Sequence, residues 1–220
     1  MWSSEVTNMI ITGIWETLYM TLVSTLVGYV IGLPMGIILT VSDKDGIKPN
    51  AVLYKILDVI ANIVRSVPFI ILLVLLIPFT RLVVGKSYGS TATIVPLVIA
   101  AAPYIARMVE SSLKEVDAGV IEAARSMGAS NFTIITKVML VEARTSLLVG
   151  ATITLGTILG YSAMSGAVGG GGLGAIAIRY GYTRWQTDIM IVTVILLIIL
   201  FQIFQTVGML SLIHISEPTR

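Results

Sequence analysis

Asp117-Ala118-Gly119-Val120-Ile121-Glu122-Ala123-Ala124-Arg125-Ser126-Met127-Gly128 is a polar stretch set between two apolar stretches of membrane length, 93–113 and 145–164. That position makes it the part of the chain built to touch something outside the membrane. Val120, Ala123, Ala124 and Met127 fall at i, i+3, i+4 and i+7, the spacing that gives a short helix one apolar face. Glu122, Arg125 and Ser126 point elsewhere. Asp117 is placed to cap the start and Gly128 to end it. A second short helix is expected next, with Ser130 at its N-cap and Phe132, Ile135 and Met139 as its apolar stripe. Two amphipathic helices around a glycine bend make a compact knob.

The surrounding chain is far from an ordinary soluble domain: 220 residues, 56% hydrophobic, 12% charged, mean hydropathy +0.96. A spanning helix needs about 20 mostly apolar residues. Five stretches supply them, at 14–40, 56–80, 93–113, 145–164 and 187–209. The expected fold is therefore an all-α polytopic membrane protein, one transmembrane domain over 1–210 with the knob in the loop 114–144. The first residues lack a basic segment and the first apolar stretch is too long for a signal peptide, so it is expected to remain as a span. Residues 211–220 break the apolar pattern, with Leu212, Ile213 and Ile215 alternating with polar residues, and read as an atypical tail.

Basic residues set the expected orientation. Lys44, Lys48, Lys55 and Arg65 flank the first loop, and Arg107, Lys114, Arg125, Lys137 and Arg144 flank the third. Arg81, Lys86, Arg179 and Arg184 are all that stand opposite. The first and third loops are thus expected in the cytoplasm, the N-terminus outside and the C-terminus inside. Trp2, Trp15, Tyr19, Tyr88, Tyr180, Tyr182 and Trp185 fit an aromatic belt near the outer ends.

Within the spans, Pro96 and Pro103 are expected to kink the third, and Pro68 can start a fresh helix after an interfacial piece. Ala100, Ala101, Ala102, Gly150, Gly156 and Gly160 allow the third and fourth spans to pack closely. The glycine run from Gly166 to Gly174 permits sharp turns and is expected as a hinge on the outer side. Glu16, Asp58, Arg65, Arg107 and Asp188 sit near span ends, where snorkelling and interfacial pairing explain them. Arg107 and Glu110, at i and i+3, can pair for a few tenths of a kcal/mol if exposed.

Catalytic and cofactor signatures are missing. Gly85-Lys86-Ser87 ends like a phosphate-binding loop, but Thr80 stands where that loop needs glycine. Gly169, Gly171 and Gly174 spell a dinucleotide fingerprint, yet they follow a membrane span and not a strand. There is no cysteine, and the one histidine, His214, lies in the tail, so no metal set forms and no cofactor is implied. Ten methionines without clustering are packing residues. Nothing points to nucleic acid. A passive channel or ion-coupled carrier would need coordinating groups at mid-membrane depth, and an intramembrane enzyme would need catalytic residues.

The knob resembles the cytoplasmic loop of the permease subunits of type I ABC importers, which reads Glu-Ala-Ala, three residues, Gly, nine residues, Ile-x-Leu-Pro. Glu122-Ala123-Ala124, Gly128 and Leu140 match, while Val138 and Val141 replace the isoleucine and proline. Arg65-Ser66-Val67-Pro68-Phe69, Gly160-Tyr161-Ser162-Ala163-Met164 and the Gly166–Gly174 run with Ala177-Ile178-Arg179-Tyr180-Gly181-Tyr182 look like the methionine importer permeases within that family. Departures are Val141 and Arg144 at usual prolines, and Ala175 where an acidic residue is common.

What the resemblance implies is a homodimer of five-span subunits in the cytoplasmic (inner) membrane, in contact with lipid, carrying methionine or another small amino acid or organic solute. Each subunit would dock its short helix on one of two cytoplasmic ATPase subunits, which hydrolyse the ATP. An extracytoplasmic lipoprotein would deliver substrate. Glu122, Ala123, Ala124, Met127 and Gly128 are the expected coupling residues, with Ala123 and Ala124 seating the helix on the partner. Ser162, Ala163 and Met164, small or flexible near the outer end of the fourth span, are the expected gate.

Overall fold

The structure, a computed structural model, describes residues 4–216. Trp2 and 217–220 lie outside it, as do the side chains of Leu212, Ile213, His214 and Ile215. Helix α1 runs Ser4–Ser42, about 58 Å at 1.5 Å per residue and so longer than the apolar slab of a bilayer. A tight turn follows, in which the Asn50 N–H bonds the Ser42 carbonyl at 2.9 Å. The Asn50 side chain then accepts from the Leu53 N–H at 3.1 Å and starts α2, Ala51–Ser66.

The second expected span, 56–80, is not one helix. Helix α2 bends by 102° into α3, Phe69–Leu75, and α4, Ile77–Val84, continues beyond a second break. Pro68 pushes Val67 out of the helical region, to φ −83° and ψ 125°. Helix α5, Ser90–Lys114, runs through both Pro96 and Pro103 as one element. Among the described residues four helical stretches are each long and apolar enough to cross a membrane, Ser4–Ser42, Ser90–Lys114, Arg144–Tyr182 and Thr187–Ser211, and the bent pair taken as one span makes five.

The centre of the bundle is where α1 lies along α5. Gly28, Gly32 and Gly36 recur every four residues, so they share one face of α1, and they meet Ala101, Ala102, Ile105, Ala106 and Val109. A methyl group on Gly32 would sit 2.6 Å from the Ala102 carbonyl oxygen, and one on Gly36 2.5 Å from that of Ala106. The partners advance together along the sequence, so the two helices run in the same direction. This ridge makes the most extensive helix contact, and the third and fourth spans pack as well, over a smaller area. Gly150 does face Met108 of α5, but Gly156 packs on Phe201 and Gly160 has open space around it.

Of the charges expected near span ends, Arg107 makes the expected pair with Glu110, but inside a larger and partly buried network. Glu110 is only 5% exposed. Arg107 Nη1 donates to its Oε2 at 2.6 Å, Lys114 Nζ to its Oε1 at 2.8 Å, and the Tyr54 hydroxyl to the same oxygen at 3.2 Å. Arg107 Nη2 reaches Asp58, and Asn62 at 3.0 Å; Lys114 also pairs with Asp43 at 2.6 Å. That hydrogen bond from Lys114 holds the Asp43 carboxyl below the usual carboxylate range. The network fastens α2 and the end of α1 to α5.

After α5 come α6, Ala118–Ser126, and a second short helix in three parts: α7, Asn131–Thr133, a π-helical turn, Ile134–Met139, and α8, Leu140–Glu142. Helix α9, Arg144–Ser165, then leads through a 3-10 turn to α10, Gly172–Ile176, and a second π-helical turn, Ala177–Tyr182. Helix α11, Thr187–Ser216, continues through most of the stretch read as an atypical tail. The glycine run between α9 and α10 is not a free outer hinge. Gly166, Gly170, Gly172 and Gly174 are buried, and the Glu16 carboxylate accepts from the Gly172 N–H at 2.7 Å. Thr17 Oγ1 accepts from the Leu173 N–H at 2.9 Å, and Thr93 Oγ1 donates to the Gly170 carbonyl at 3.1 Å. Absence of side chains here lets α9, α10, α1 and α5 meet.

Gly32→Ala is expected to cost about 1–3 kcal/mol, because the new methyl group opposes a backbone carbonyl that cannot move aside. Gly160→Ala, in open space inside a helix, is expected to be neutral or stabilising by up to about 1 kcal/mol. Unfolding of the two purified variants in detergent checks both.

Candidate functional site

The knob forms as its residues dictate. Asp117 Oδ1 accepts from the Gly119 N–H at 2.7 Å at the start of α6. At its end Gly128 takes φ +81°, the left-handed conformation that glycine adopts without penalty. The Ala129 N–H bonds the Ala124 carbonyl at 3.1 Å and the Gly128 N–H bonds that of Arg125 at 3.0 Å, the paired closure that satisfies a helix C-terminus. Ser130 Oγ accepts from the Thr133 N–H at 3.2 Å and starts the next helix.

The inward face of α6 differs from the expected one. Ala124, 5% exposed, belongs to this chain's own core, with Ile121 packed beside it. Ala123 points outward with Glu122, and Val120 and Met127 are 41% and 82% exposed. Ala124 therefore seats the helix on its own subunit, and Ala123 stays exposed. Ile121 was the missed anchor. Its spacing of three from Ala124 was readable, but the stripe from Val120 to Met127 contained more apolar residues and masked it.

In the second short helix the buried residues are Ile134 and Met139, five apart, while Phe132 is 75% exposed. The π turn explains the change: each turn holds more residues than an α turn, so the inward face recurs at five, not at three or four. Its i to i+5 bond runs from the Leu140 N–H to the Ile135 carbonyl. With Val141 and Arg144 in place of prolines, the chain continues into α9, and the Ala143 N–H bonds the Met139 carbonyl at 2.9 Å.

Two further features fix the knob. Arg125 Nη2 donates to the Ile47 carbonyl at 2.9 Å, a strut to the loop after α1. A cavity of about 490 Å³ remains between loop and knob, with Asp43, Lys114, Glu122 and Arg125 on its wall. On the surface, Val120, Ala123, Met127 and Phe132 are exposed and no other part of the described chain covers them, while Glu122 turns to the cavity wall.

The three expected gate residues do not share a surface. Ser162 is fully buried, its hydroxyl donating to the Leu159 carbonyl at 2.8 Å. Ala163 lies against Gly174, on which a methyl group would come within 2.1 Å of the Ala163 carbonyl oxygen. Met164, 48% exposed, alone faces away from its own subunit. Among the described residues no group of three or more metal-ligating side chains comes together.

This chain belongs to the family described as binding-protein-dependent transport system inner membrane component, whose pattern it matches over residues 28–210. Among its relatives are proteins named D-methionine transport system permease protein MetI. That of Vibrio cholerae, called probable, is 49% identical over 207 residues, 94% of this chain and 92% of its own length. That of Escherichia coli K12 is 52% identical over 158 residues, covering 72% and 73%. A solved structure described as an inward facing conformation of the MetNI methionine ABC transporter superposes with TM-score 0.96 at 49% identity, over 98% of this chain and all of that one. An amino acid ABC transporter crystallised with histidines shares the fold at TM-score 0.78 and 22% identity, over 96% and 95%.

Ala124→Asp is expected to destabilise the subunit by about 3 kcal/mol by placing a carboxylate in the apolar core. Ala123→Asp, on the surface, is expected to change stability by less than about 0.5 kcal/mol. Thermal unfolding of both variants separates the inner alanine from the outer one.

Proposed function

We propose that this chain is the permease subunit of an ATP-driven importer that carries methionine. The single observation that carries the reading is the uncovered tip of Val120, Ala123, Met127 and Phe132, at the Glu-Ala-Ala loop of a chain in this family. Support for methionine comes from relatives near 50% identity that bear that substrate in their names. ATP is hydrolysed by a separate cytoplasmic subunit, and two copies of the permease pair across the membrane, as the likeness to a MetNI assembly supports. A substrate-binding lipoprotein delivers methionine from outside, in keeping with the binding-protein-dependent family.

In this reading the N-terminus is outside, the C-terminus and the knob are inside, and the conformation is inward-facing. Closure of the ATPase pair pushes the tip, Gly128 keeps the two short helices at a fixed angle, and the Arg125 strut passes the push to α1 as well as α5. Met164 serves as the movable part of the gate. Ser162 and Ala163 hold the backbone beneath it.

Co-purification with the partner ATPase tests the docking: Ala123→Asp is expected to lose at least about tenfold of bound ATPase while folding normally. Undiminished binding would remove the knob from the interface. ATP-dependent uptake of labelled methionine into vesicles holding the full complex tests the substrate. Met164→Ala is expected to raise the basal ATPase rate or lower uptake several-fold, and unchanged values of both would remove Met164 from the gate.

A further inference from the structure

Two sequence motifs far apart in the chain, Arg65-Ser66-Val67-Pro68-Phe69 and Gly160-Tyr161-Ser162-Ala163-Met164, are closed by the fold onto one cavity. Its volume is about 190 Å³, roughly ten times the space one water needs. Arg65, Phe69, Leu72, Ala100, Tyr104 and Tyr161 line it. The Phe69 and Tyr161 rings stack with centroids 4.4 Å apart and planes 6° from parallel, which makes one wall aromatic. The 102° bend after α2 brings Arg65, in the last turn of that helix, to the cavity's edge.

Arg65 differs from Arg107, the other arginine near this part of the bundle. Arg107 is paired with both Asp58 and Glu110, whereas Arg65 has no carboxylate within ion-pair distance among the described residues. The Tyr104 and Tyr161 hydroxyls likewise have no hydrogen-bond partner within the described chain. A guanidinium and two phenol donors around one space form a set that an anion completes, and a planar carboxylate fits the guanidinium fork. The aromatic wall next to it offers a thioether or other apolar side chain a polarisable surface. Arg65 is exposed at the end of α2, so its guanidinium is accessible to a ligand at the cavity's edge.

We propose that this cavity is a transient subsite for a free amino acid on its way through the permease. Arg65 and the phenol hydroxyls hold the α-carboxylate, and the side chain lies on the Phe69–Tyr161 stack. The expected preference for methionine rests on the import reading above; recognition of the carboxylate does not. The site holds its ligand weakly, because a pathway site must release what it binds.

The test is photo-crosslinking of a diazirine-bearing methionine analogue to the assembled permease–ATPase complex in nanodiscs, without the delivery protein. Label is expected on the segments around Arg65–Leu72, Ala100–Tyr104 and Tyr161. Arg65→Gln is expected to lower its yield at least about tenfold, Arg65→Lys to restore part of it, and Tyr161→Phe to lower it several-fold. Free methionine is expected to compete, and methioninol, which lacks the carboxylate, to compete at least about tenfold less well. Equal yield in Arg65→Gln, or equal competition by methioninol, overturns the subsite. If Arg65→Gln fails to assemble, unchanged yields in both Arg65→Lys and Tyr161→Phe overturn it. Label elsewhere in the permease that methionine still displaces keeps methionine as substrate and overturns this cavity. Competition by other free amino acids but not by methionine keeps the subsite and overturns the methionine reading.

Discussion

Backbone contact between α1 and α5 decides how the other elements can be arranged. Three glycines at four-residue intervals bring the two helices close enough that a single methyl group would strike a carbonyl oxygen. In a bilayer, where burying apolar side chains against each other gains little over burying them in lipid, such close approach supplies dispersion contacts that lipid cannot match. With α1 fixed along α5, its N-terminal half offers Glu16 and Thr17 to the start of α10, and its C-terminal end reaches the loop that braces the knob.

The knob is therefore joined to the bundle at both ends of its own sequence and at one point in its middle. Its core face carries Ile121, Ala124, Ile134 and Met139 against the subunit. Its outer face is larger and more apolar than a solvated loop helix needs, with Met127 and Phe132 largely free. The π turn beneath it keeps Ile134 and Met139 inward without proline to direct the exit.

Much of this was legible in the sequence, for identifiable reasons. Long apolar stretches announce spans by composition alone, and Asp117, Gly128 and Ser130 announced their caps because each cap chemistry uses few residue types. Facing was harder. On α6 two overlapping stripes competed, and only the packed structure shows that Ile121 and Ala124 win. In the second short helix the three-to-four spacing failed because a π turn has no local signature. The Gly28, Gly32, Gly36 series was readable but was passed over for the alanines and glycines of other spans. Pairing across the chain was least legible: nothing near Arg65 or Tyr161 says they share a cavity, and nothing near Arg107 says that Asp58 will meet it.

The charged cluster around Glu110 has two parts that differ in their contact with solvent. Arg107 and Glu110 are largely enclosed, whereas the Lys114 side chain is 42% exposed where it reaches Asp43. Dissolved ions screen the second kind of pair far more than the first. Raising ionic strength thus loosens the tie between the end of α1 and α5 while the tie of α2 to α5 holds. The rim of the bundle beside the knob relaxes on one side only, and the loop after α1 is the part given freedom by a saltier medium.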